Sequence, residues 1–388
     1  MCNGKPDNLR KGNPEMANIS GNHLIAKTLK EEGVDTLFYL TGGPSFDIVM
    51  ACQDLGIRTV DFRHEQAAAF AAHAYSRVTG KTGVVTASSG PGTLNLLTGV
   101  YAASIDCAPM LILGGASSVH EIGRNTFQEV DQLGIMQPLC KYVHRPTKAS
   151  RYSEIVSTAY RQSQSGRPGP VYVDCGGDIL YEEVDVTTVA PASRAKAKAR
   201  AATENSTIDK IIDMIIAADR PMIFAGGGAF FSGAADALKR FVNITNIPFF
   251  TSPMSRGLLP EDHVVCFPAA RSTAMREADL VLVVGTRINW MLNFGKRFCP
   301  DACIIQIDIE ESELGHNVDI ELGVVGETYR WDSSIIADAV NTASRVEGLT
   351  KTFAAEILVT DAVIEALEEV DRLLRGDPPS STDDPPAA

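Results

Sequence analysis

From His23 onward the apolar residues alternate between two patterns, helical spacing and short continuous runs of strand length. Leu24 to Glu32 reads as a helix, and Thr36-Leu-Phe-Tyr-Leu40 as a strand that runs into a Thr-Gly-Gly-Pro turn. Arg58 to Phe62 is a second strand. The Ala-rich run from Glu65 to Val78 follows as a long helix, because alanine favours helix and permits close packing. Gly83 to Ser88 is a buried strand ending at Ser89-Gly-Pro-Gly92, with the next helix expected near Thr93. Met110 to Leu113 and Pro170 to Asp174 are further strands, the latter introduced by the turn-rich Gly166-Arg-Pro-Gly.

Residues 185–206 break the pattern. They are rich in Ala, Thr, Lys and Arg without strand alternation, which predicts an interdomain linker. A second alternating unit starts near Ile208, with strands at Met222–Ala225, Phe249–Thr251, Leu280–Val284 and Ile304–Asp308, and fades near Gly326. Helix-like stretches follow at about 333–345 and 353–375, then a Pro-, Ser- and Asp-rich ending. Such alternation predicts an α/β chain of two doubly wound domains, each with a mostly parallel sheet covered on both faces, plus a helical C-terminal extension.

Composition narrows the classes. The 388 residues exceed one ordinary core, and 45% hydrophobic with 21% charged residues is the make-up of a soluble globular protein. A formal net charge of −13 with no basic stripe argues against nucleic acid and anionic membranes as partners. The apolar runs are too short to span a bilayer, and residues 1–19 lack a secretory core and read as a flexible tail. The eight cysteines are scattered and form no zinc pattern, so reduced, mostly buried thiols and a cytoplasmic location are expected.

The candidate chemistry begins with Phe62-Arg-His-Glu-Gln-Ala-Ala-Ala-Phe, where a strand runs into a helix and sets Glu65 at the helix N-terminus. By itself that is also the place of a glutamate that only complements the helix dipole. Three more blocks follow in order: Ser88-Ser-Gly-Pro-Gly-Thr-Leu-Asn95, Gly123-Arg-Asn-Thr-Phe-Gln-Glu-Val-Asp-Gln132 and Gly166-Arg-Pro-Gly-Pro-Val-Tyr-Val-Asp174. Together the four blocks resemble the pyrimidine-binding domain of thiamine-diphosphate enzymes of the acetolactate synthase, oxalyl-CoA decarboxylase and 2-hydroxyacyl-CoA lyase type.

The resemblance implies that Glu65 hydrogen-bonds the aminopyrimidine N1' of thiamine diphosphate. That bond favours the imino tautomer, which takes the proton from thiazolium C2 and leaves an ylide as carbon nucleophile. It implies that Thr41, Gly42, Gly43, Gly90, Pro91 and Asn95 line the cofactor, and that Phe127 and Gln128 face the reacting substrate. On the residues alone, the alternative is that Phe127 is a core residue and Gln128 a solvated loop residue. His64 is an acid-base candidate or an orienting residue, and His73 reads as packing.

In the second unit, Ala225-Gly-Gly-Gly-Ala-Phe230 follows a strand but is not a full dinucleotide fingerprint, because Phe231 stands at the third glycine position. With Ser255-Arg-Gly-Leu-Leu-Pro260, Ala270-Arg-Ser-Thr273, Val284-Gly-Thr-Arg-Ile-Asn-Trp290 and Gln306-Ile-Asp-Ile-Glu310, it is similar to the central, Rossmann-like domain of the same enzymes. If that domain holds ADP or the nucleotide of CoA, Gly226, Gly227, Gly228, Arg271, Arg287 and Asp308 are the residues for it. FAD, or an empty structural domain, are the alternatives.

The expected domain plan is then a tail at 1–19, the pyrimidine-binding domain at 20–184, the linker at 185–206, the central domain at 207–330, a helical extension at 331–375 and a disordered tail at 376–388. Family members carry a third domain with Gly-Asp-Gly and an Asn pair that bind magnesium and the diphosphate. Gly-Asp occurs here only at Gly177-Asp178 and Gly376-Asp377, so no metal ligands are expected in this chain. The ending reads as a natural terminus, which leads to the expectation of a small partner subunit with the diphosphate domain and Mg2+ ligands, in an α2β2 or larger assembly. A truncated longer chain is the competing explanation. The implied activity is carbon–carbon cleavage or joining on an acyl-CoA, 2-hydroxyacyl-CoA lyase-like. The alternatives are an acetolactate-synthase-like carboligase or 2-oxo-acid decarboxylase, and a non-catalytic regulatory or scaffolding paralogue.

Overall fold

A computed structural model describes residues 18–189, 192 and 203–326 of the chain. The proposed extension at 331–375, the C-terminal tail, most of the N-terminal tail and most of the linker lie outside the described residues. The chain divides into two compact units, residues 1–197 and 198–388.

In the first unit β1 (Asn18–Ser20) leads into α1 (Gly21–Glu31), whose first turn is capped by the Ser20 hydroxyl accepting from the His23 amide. The order continues β2 (Thr36–Tyr39), α2 (Phe46–Asp54), β3 (Arg58–Asp61), α3 (Glu65–Thr79), β4 (Gly83–Ala87), α4 (Pro91–Asn95), α5 (Leu97–Ile105) and β5 (Met110–Ala116). It closes with α6 (Gln132–Met136), β6 (Tyr142–His144), α7 (Tyr152–Gln164), β7 (Pro170–Gly176), α8 (Gly177–Tyr181) and β8 (Glu183–Asp185). Six strands form one sheet in the order β3-β2-β4-β5-β7-β6, with every pair parallel. β1 and β8 form a separate antiparallel pair.

The period-two rule of a strand assigns the two faces of that sheet. Val84, Leu111, Leu113, Val171 and Val173 point into one core, with Leu24, Ile25 and Leu29 of α1, Ile48 and Val49 of α2, and Ile155 and Val156 of α7. Gly83, one residue off that register, meets the Ala72 backbone of α3, so α3 covers the opposite face. Both faces are covered, which is why β5 and β7 are buried along their whole length.

The second unit holds α9 (Asn205–Ala217), β9 (Pro221–Ala225), α10 (Gly227–Phe231), α11 (Ala235–Thr245), β10 (Phe249–Thr251), α12 (Arg271–Glu277), β11 (Leu280–Val284), β12 (Cys303–Asp308) and β13 (Leu322–Val325). Its five strands run parallel in the order β10-β9-β11-β12-β13. Leu280, Leu282, Val284, Ile305 and Ile307 face one apolar cluster, while Val281, Val283 and Ile304 face the other.

The expected α/β class with mostly parallel sheets is what the two units show. The helix after the glycine turn starts at Pro91 and not near Thr93, with proline in the first turn where its missing N–H costs nothing. Four strands are absent from the sequence reading: β6, a half-buried three-residue edge; β13, whose Leu-Gly-Val-Val has little pattern; and the paired β1 and β8. No helix among the described residues is long and apolar enough to cross a membrane.

Candidate active site

Parallel strands deliver all their following loops to one edge, and the first sheet changes direction between β2 and β4. Its first strand lies beside β3 on one side and β4 on the other. Open α/β sheets form their binding crevices at such a switch point, outside the carboxyl ends of the strands. The loops after β2, β3 and β4 carry Thr41-Gly42-Gly43, His64-Glu65 and Ser88 to Asn95.

Local chemistry holds these loops together. Gly42 passes so close to β4 that a Cβ there would lie 2.6 Å from the Ser88 Cβ, and the Ser88 hydroxyl donates to the Gly43 carbonyl at 2.6 Å. The Gly43–Pro44 peptide is cis. Gly90 has a φ of 59°, a left-handed value suited to glycine, and a Cβ there would lie 2.5 Å from the Gln128 carbonyl oxygen. The glycine turn is thereby seated directly on the loop that carries Phe127 and Gln128.

Glu65 is only 9% exposed although it opens α3. Its Oε2 accepts from Asn95 Nδ2 at 3.0 Å. Its Oε1 takes no hydrogen bond among the described residues. It lies 3.4 Å from where a Cβ on Gly92 would stand, so glycine at 92 leaves that oxygen room. A buried carboxylate with one oxygen oriented and the other unfilled is the acceptor expected beside a heteroaromatic N–H. The residues therefore fit an aminopyrimidine. His64 is exposed and caps α3, its Nδ1 accepting from the Gln66 amide at 3.1 Å. His73 is 6% exposed with Nε2 3.0 Å from Asp106 Oδ2, a buried position facing α5 and away from the switch point.

Phe127 and Gln128 behave differently from one another. Phe127 is 83% exposed, so it is not a core residue, and its carbonyl accepts from the Ser117 hydroxyl at 3.2 Å. Gln128 is half-buried at a φ of 60°, and its Oε1 accepts from the Ser89 hydroxyl at 2.7 Å. Its Nε2 has no acceptor among the described residues and remains available to donate. The Gly123 and Thr126 amides bond Glu129 at 2.5 and 3.0 Å and hold its carboxyl below the ordinary range, shaping the loop before α6.

A polar group beneath the site has no counterpart among the residues singled out from sequence. Gln132, 2% exposed, bonds Gly90, Gly115, Tyr172 and Asp174, and Asp174 in turn pairs with Arg145. Burial pushes the Tyr172 phenol well above its ordinary pKa. The signal in the sequence is Asp174 itself, an acid closing the otherwise apolar run Pro-Val-Tyr-Val.

In the second unit the glycine turn also sits at a switch point, between β9 and β11. Gly226 packs against Thr286 and Gly228 against Gly285, and their amides donate to Val284 and Gly285 carbonyls, both at 2.8 Å. These glycines let two strand ends approach. Arg287 follows β11, and Asp308, 9% exposed at the end of β12, accepts from the Glu310 amide at 3.0 Å. Both stand at the same sheet edge as Gly226 to Gly228, whereas Arg271 opens α12 and forms no side-chain bond among the described residues.

No group of three or more His, Cys, Asp or Glu side chains suited to a metal occurs among the described residues. The seven described cysteines are free; Cys52, Cys140 and Cys175 are buried, with burial pushing Cys52 and Cys140 up to about 12. Cys303 is exposed and Cys107, Cys266 and Cys299 are intermediate, so the described thiols are less buried than expected.

Comparison with known proteins agrees with this geometry. Residues 19–135 match the family model for the thiamine pyrophosphate enzyme N-terminal TPP binding domain, and residues 208–330 match that for the central domain. Human 2-hydroxyacyl-CoA lyase 1 is 33% identical over 326 residues, 84% of this chain and 56% of the relative. Oxalyl-CoA decarboxylase of Escherichia coli is 34% identical over 314 residues, 79% of this chain and 55% of the relative. A probable acetolactate synthase large subunit of Methanocaldococcus jannaschii is 33% identical over 320 residues, 80% of this chain and 54% of the relative. The chain spans about half the length of the curated relatives it matches. With both domain models in order and a buried glutamate at the switch point of the first, this chain belongs to the thiamine pyrophosphate enzyme family and carries its N-terminal and central domains.

Proposed function

We propose that this chain supplies the activating half of a thiamine-diphosphate site that cleaves or forms a carbon–carbon bond beside a carbonyl, with a 2-hydroxyacyl-CoA as substrate class. The diphosphate and Mg2+ are held by a domain on a separate small subunit, in an α2β2 or larger assembly. The observation that carries the reading is Glu65: buried, oriented by Asn95 and left with one unfilled oxygen at the sheet's switch point.

Thiamine diphosphate, when bound, supplies the carbon nucleophile and the electron sink. Glu65 Oε1 holds a proton at the pyrimidine nitrogen, and Asn95 fixes the direction of the carboxylate. Gly42, Gly43, Gly90 and Pro91 form the backbone wall beside it. Gln128 Nε2 donates to the substrate carbonyl or hydroxyl, with its oxygen already held by Ser89. His64 sets the start of α3 through its Nδ1 and is an orienting residue. Phe127 offers an exposed apolar face to substrate or partner.

The small subunit has its own support. Along α3 and just within α5, Phe70, Val78, Tyr101 and Ile105 are exposed apolar side chains, two of them more than half exposed at 82% and 55%. Exposed apolar side chains of this size on two packed helices are what a covering partner would bury. In the central domain, Arg287, Asp308 and the Gly226–Gly228 edge, with Arg271, are the residues for an ADP or CoA nucleotide.

Coexpression with neighbouring genes, purification and mass spectrometry test the assembly. The expected result is a partner carrying the diphosphate domain, with thiamine diphosphate and Mg2+ in the complex. Cleavage of a 2-hydroxyacyl-CoA by that complex should fall about 10²–10⁴-fold in Glu65→Gln with folding unchanged. A chain that purifies alone and binds no thiamine diphosphate with Mg2+, or a Glu65→Gln complex with full turnover, contradicts the reading. The second reading, an acetolactate-synthase-like carboligase on free acids, is favoured by equal identity to the Methanocaldococcus protein. Copurified FAD, or no nucleotide, supports it; copurified ADP or CoA supports the first.

A further inference from the structure

The Gln132 carboxamide sits where three parts of the first unit meet. Its Oε1 accepts from the Gly90 amide at 2.6 Å. Its Nε2 faces the Gly115 carbonyl at the end of β5 (3.0 Å), the Tyr172 hydroxyl (2.7 Å) and Asp174 Oδ1 (2.8 Å) on β7. Tyr172 also donates to Asp174 Oδ1, and Asp174, fully buried, is neutralised by Arg145 Nε on its other oxygen. This surrounding allows one amide orientation. Turned over, the amide would set its NH2 against the Gly90 N–H and its oxygen against the Asp174 carboxylate and the Gly115 carbonyl, losing those three bonds and adding repulsion.

The consequence runs to the catalytic edge through short covalent and hydrogen-bonded links. Gly90 opens α4, and its carbonyl accepts from the Leu94 amide at 2.9 Å, so the position of Gly90 sets that single helical turn. The turn carries Gly92, beside Glu65 Oε1, and ends at Asn95, which bonds Glu65 Oε2 at 3.0 Å. Both oxygens of Glu65 therefore have neighbours anchored at Gly90. Gly90 has no side chain with which to hold itself at its positive φ. A buried amide fixed by an ion pair is a rigid post for such a turn.

We propose that Gln132 is a positioning residue for Glu65. Held in one orientation by Asp174, Tyr172 and Arg145, it pins the Ser88–Asn95 turn so that Asn95 and Gly92 present the glutamate at a fixed angle. The claim rests on the reading of Glu65 as the cofactor-facing carboxylate, but its first test does not.

Gln132→Met keeps side-chain length and removes both donor and acceptor. Hydrogen exchange of the full chain should show amides 88–96 opening about tenfold faster, the size expected for losing one buried hydrogen bond. Amides of α1 and of the second unit should be unchanged. In the assembled complex the same variant should lower kcat about tenfold or more with KM unaltered, because Gln132 touches no substrate. Tyr172→Phe, which removes one of the bonds at Gln132 Nε2 and leaves those to Gly90, Gly115 and Asp174, should give a smaller change of the same kind in exchange at 88–96 and in kcat. Unchanged exchange at 88–96, faster exchange spread evenly over the first unit, or loss of KM with kcat retained would each overturn the proposal. If the local exchange changes as expected while the wild-type complex turns over nothing, the positioning network stands and the catalytic reading of Glu65 fails.

Discussion

Asn95 reaches Glu65 from a different loop, so the direction of the key carboxylate depends on a neighbour thirty residues away. Asn95→Ala removes the only donor to Glu65 among the described residues. Turnover of the assembled complex should drop about 10- to 100-fold, as for the loss of an orienting hydrogen bond. Asn95→Asp sets a second carboxylate against the first and should be worse; kcat/KM of the two variants checks the order. A different residue-scale effect is purely structural. Lys81 and Tyr75 bond Asp35 and hold its carboxyl down at about 2. A depressed acid stabilises the fold above its unfolded pKa and loses that contribution as pH falls through the folded value. Asp35→Asn should therefore lower Tm slightly near neutral pH, within about 1 kcal/mol because the pair is half-exposed and screened, and should match wild type near pH 2. Glu65, Gln128 and Asn95 were legible in sequence as members of ordered blocks. Gln132 and Asp174 stood in the same blocks unremarked, because a buried polar network is defined by partners that only folding brings together.

At the scale of elements, the α3–α5 pair places the site. Gly99 of α5 is pressed against Ala69 of α3 so closely that a Cβ would collide with the Ala69 side chain. Small residues on α3 allow this approach: Ala68, Ala69 and Ala72 are fully buried. Gly99→Ala should destabilise the first unit by about 1–3 kcal/mol through overpacking, seen by circular dichroism in urea. An unchanged midpoint would mean the helices part without cost. The long helix, the central strands and the switch from one unit to the next were readable because periodicity and strand-length apolar runs report burial directly. The edges were not. β6 is half-buried and β13 carries exposed positions, so neither has the apolar run that marks a strand covered on both faces. The glycine turn at 226–228, an incomplete dinucleotide fingerprint in sequence, packs the end of β9 against the loop after β11, a close approach that the sequence did not distinguish from a phosphate-binding role.

At the scale of the whole molecule, the chain carries two of the domains of its family, and the curated relatives are nearly twice as long as the matched part. Phe127, Phe70, Val78 and Tyr101 stand exposed on the first unit, apolar area for the proposed partner to cover. The central claim is that Glu65, from this chain, activates a cofactor whose diphosphate another polypeptide holds. The most direct measurement is exchange of the thiamine-diphosphate C2 proton with D2O in the assembled complex, followed by quenched-flow NMR for wild type and Glu65→Gln. It needs no substrate and isolates the step assigned to Glu65. The account predicts an exchange rate about 10²–10⁴-fold slower in Glu65→Gln with the cofactor still bound. Equal rates in the two complexes would contradict it.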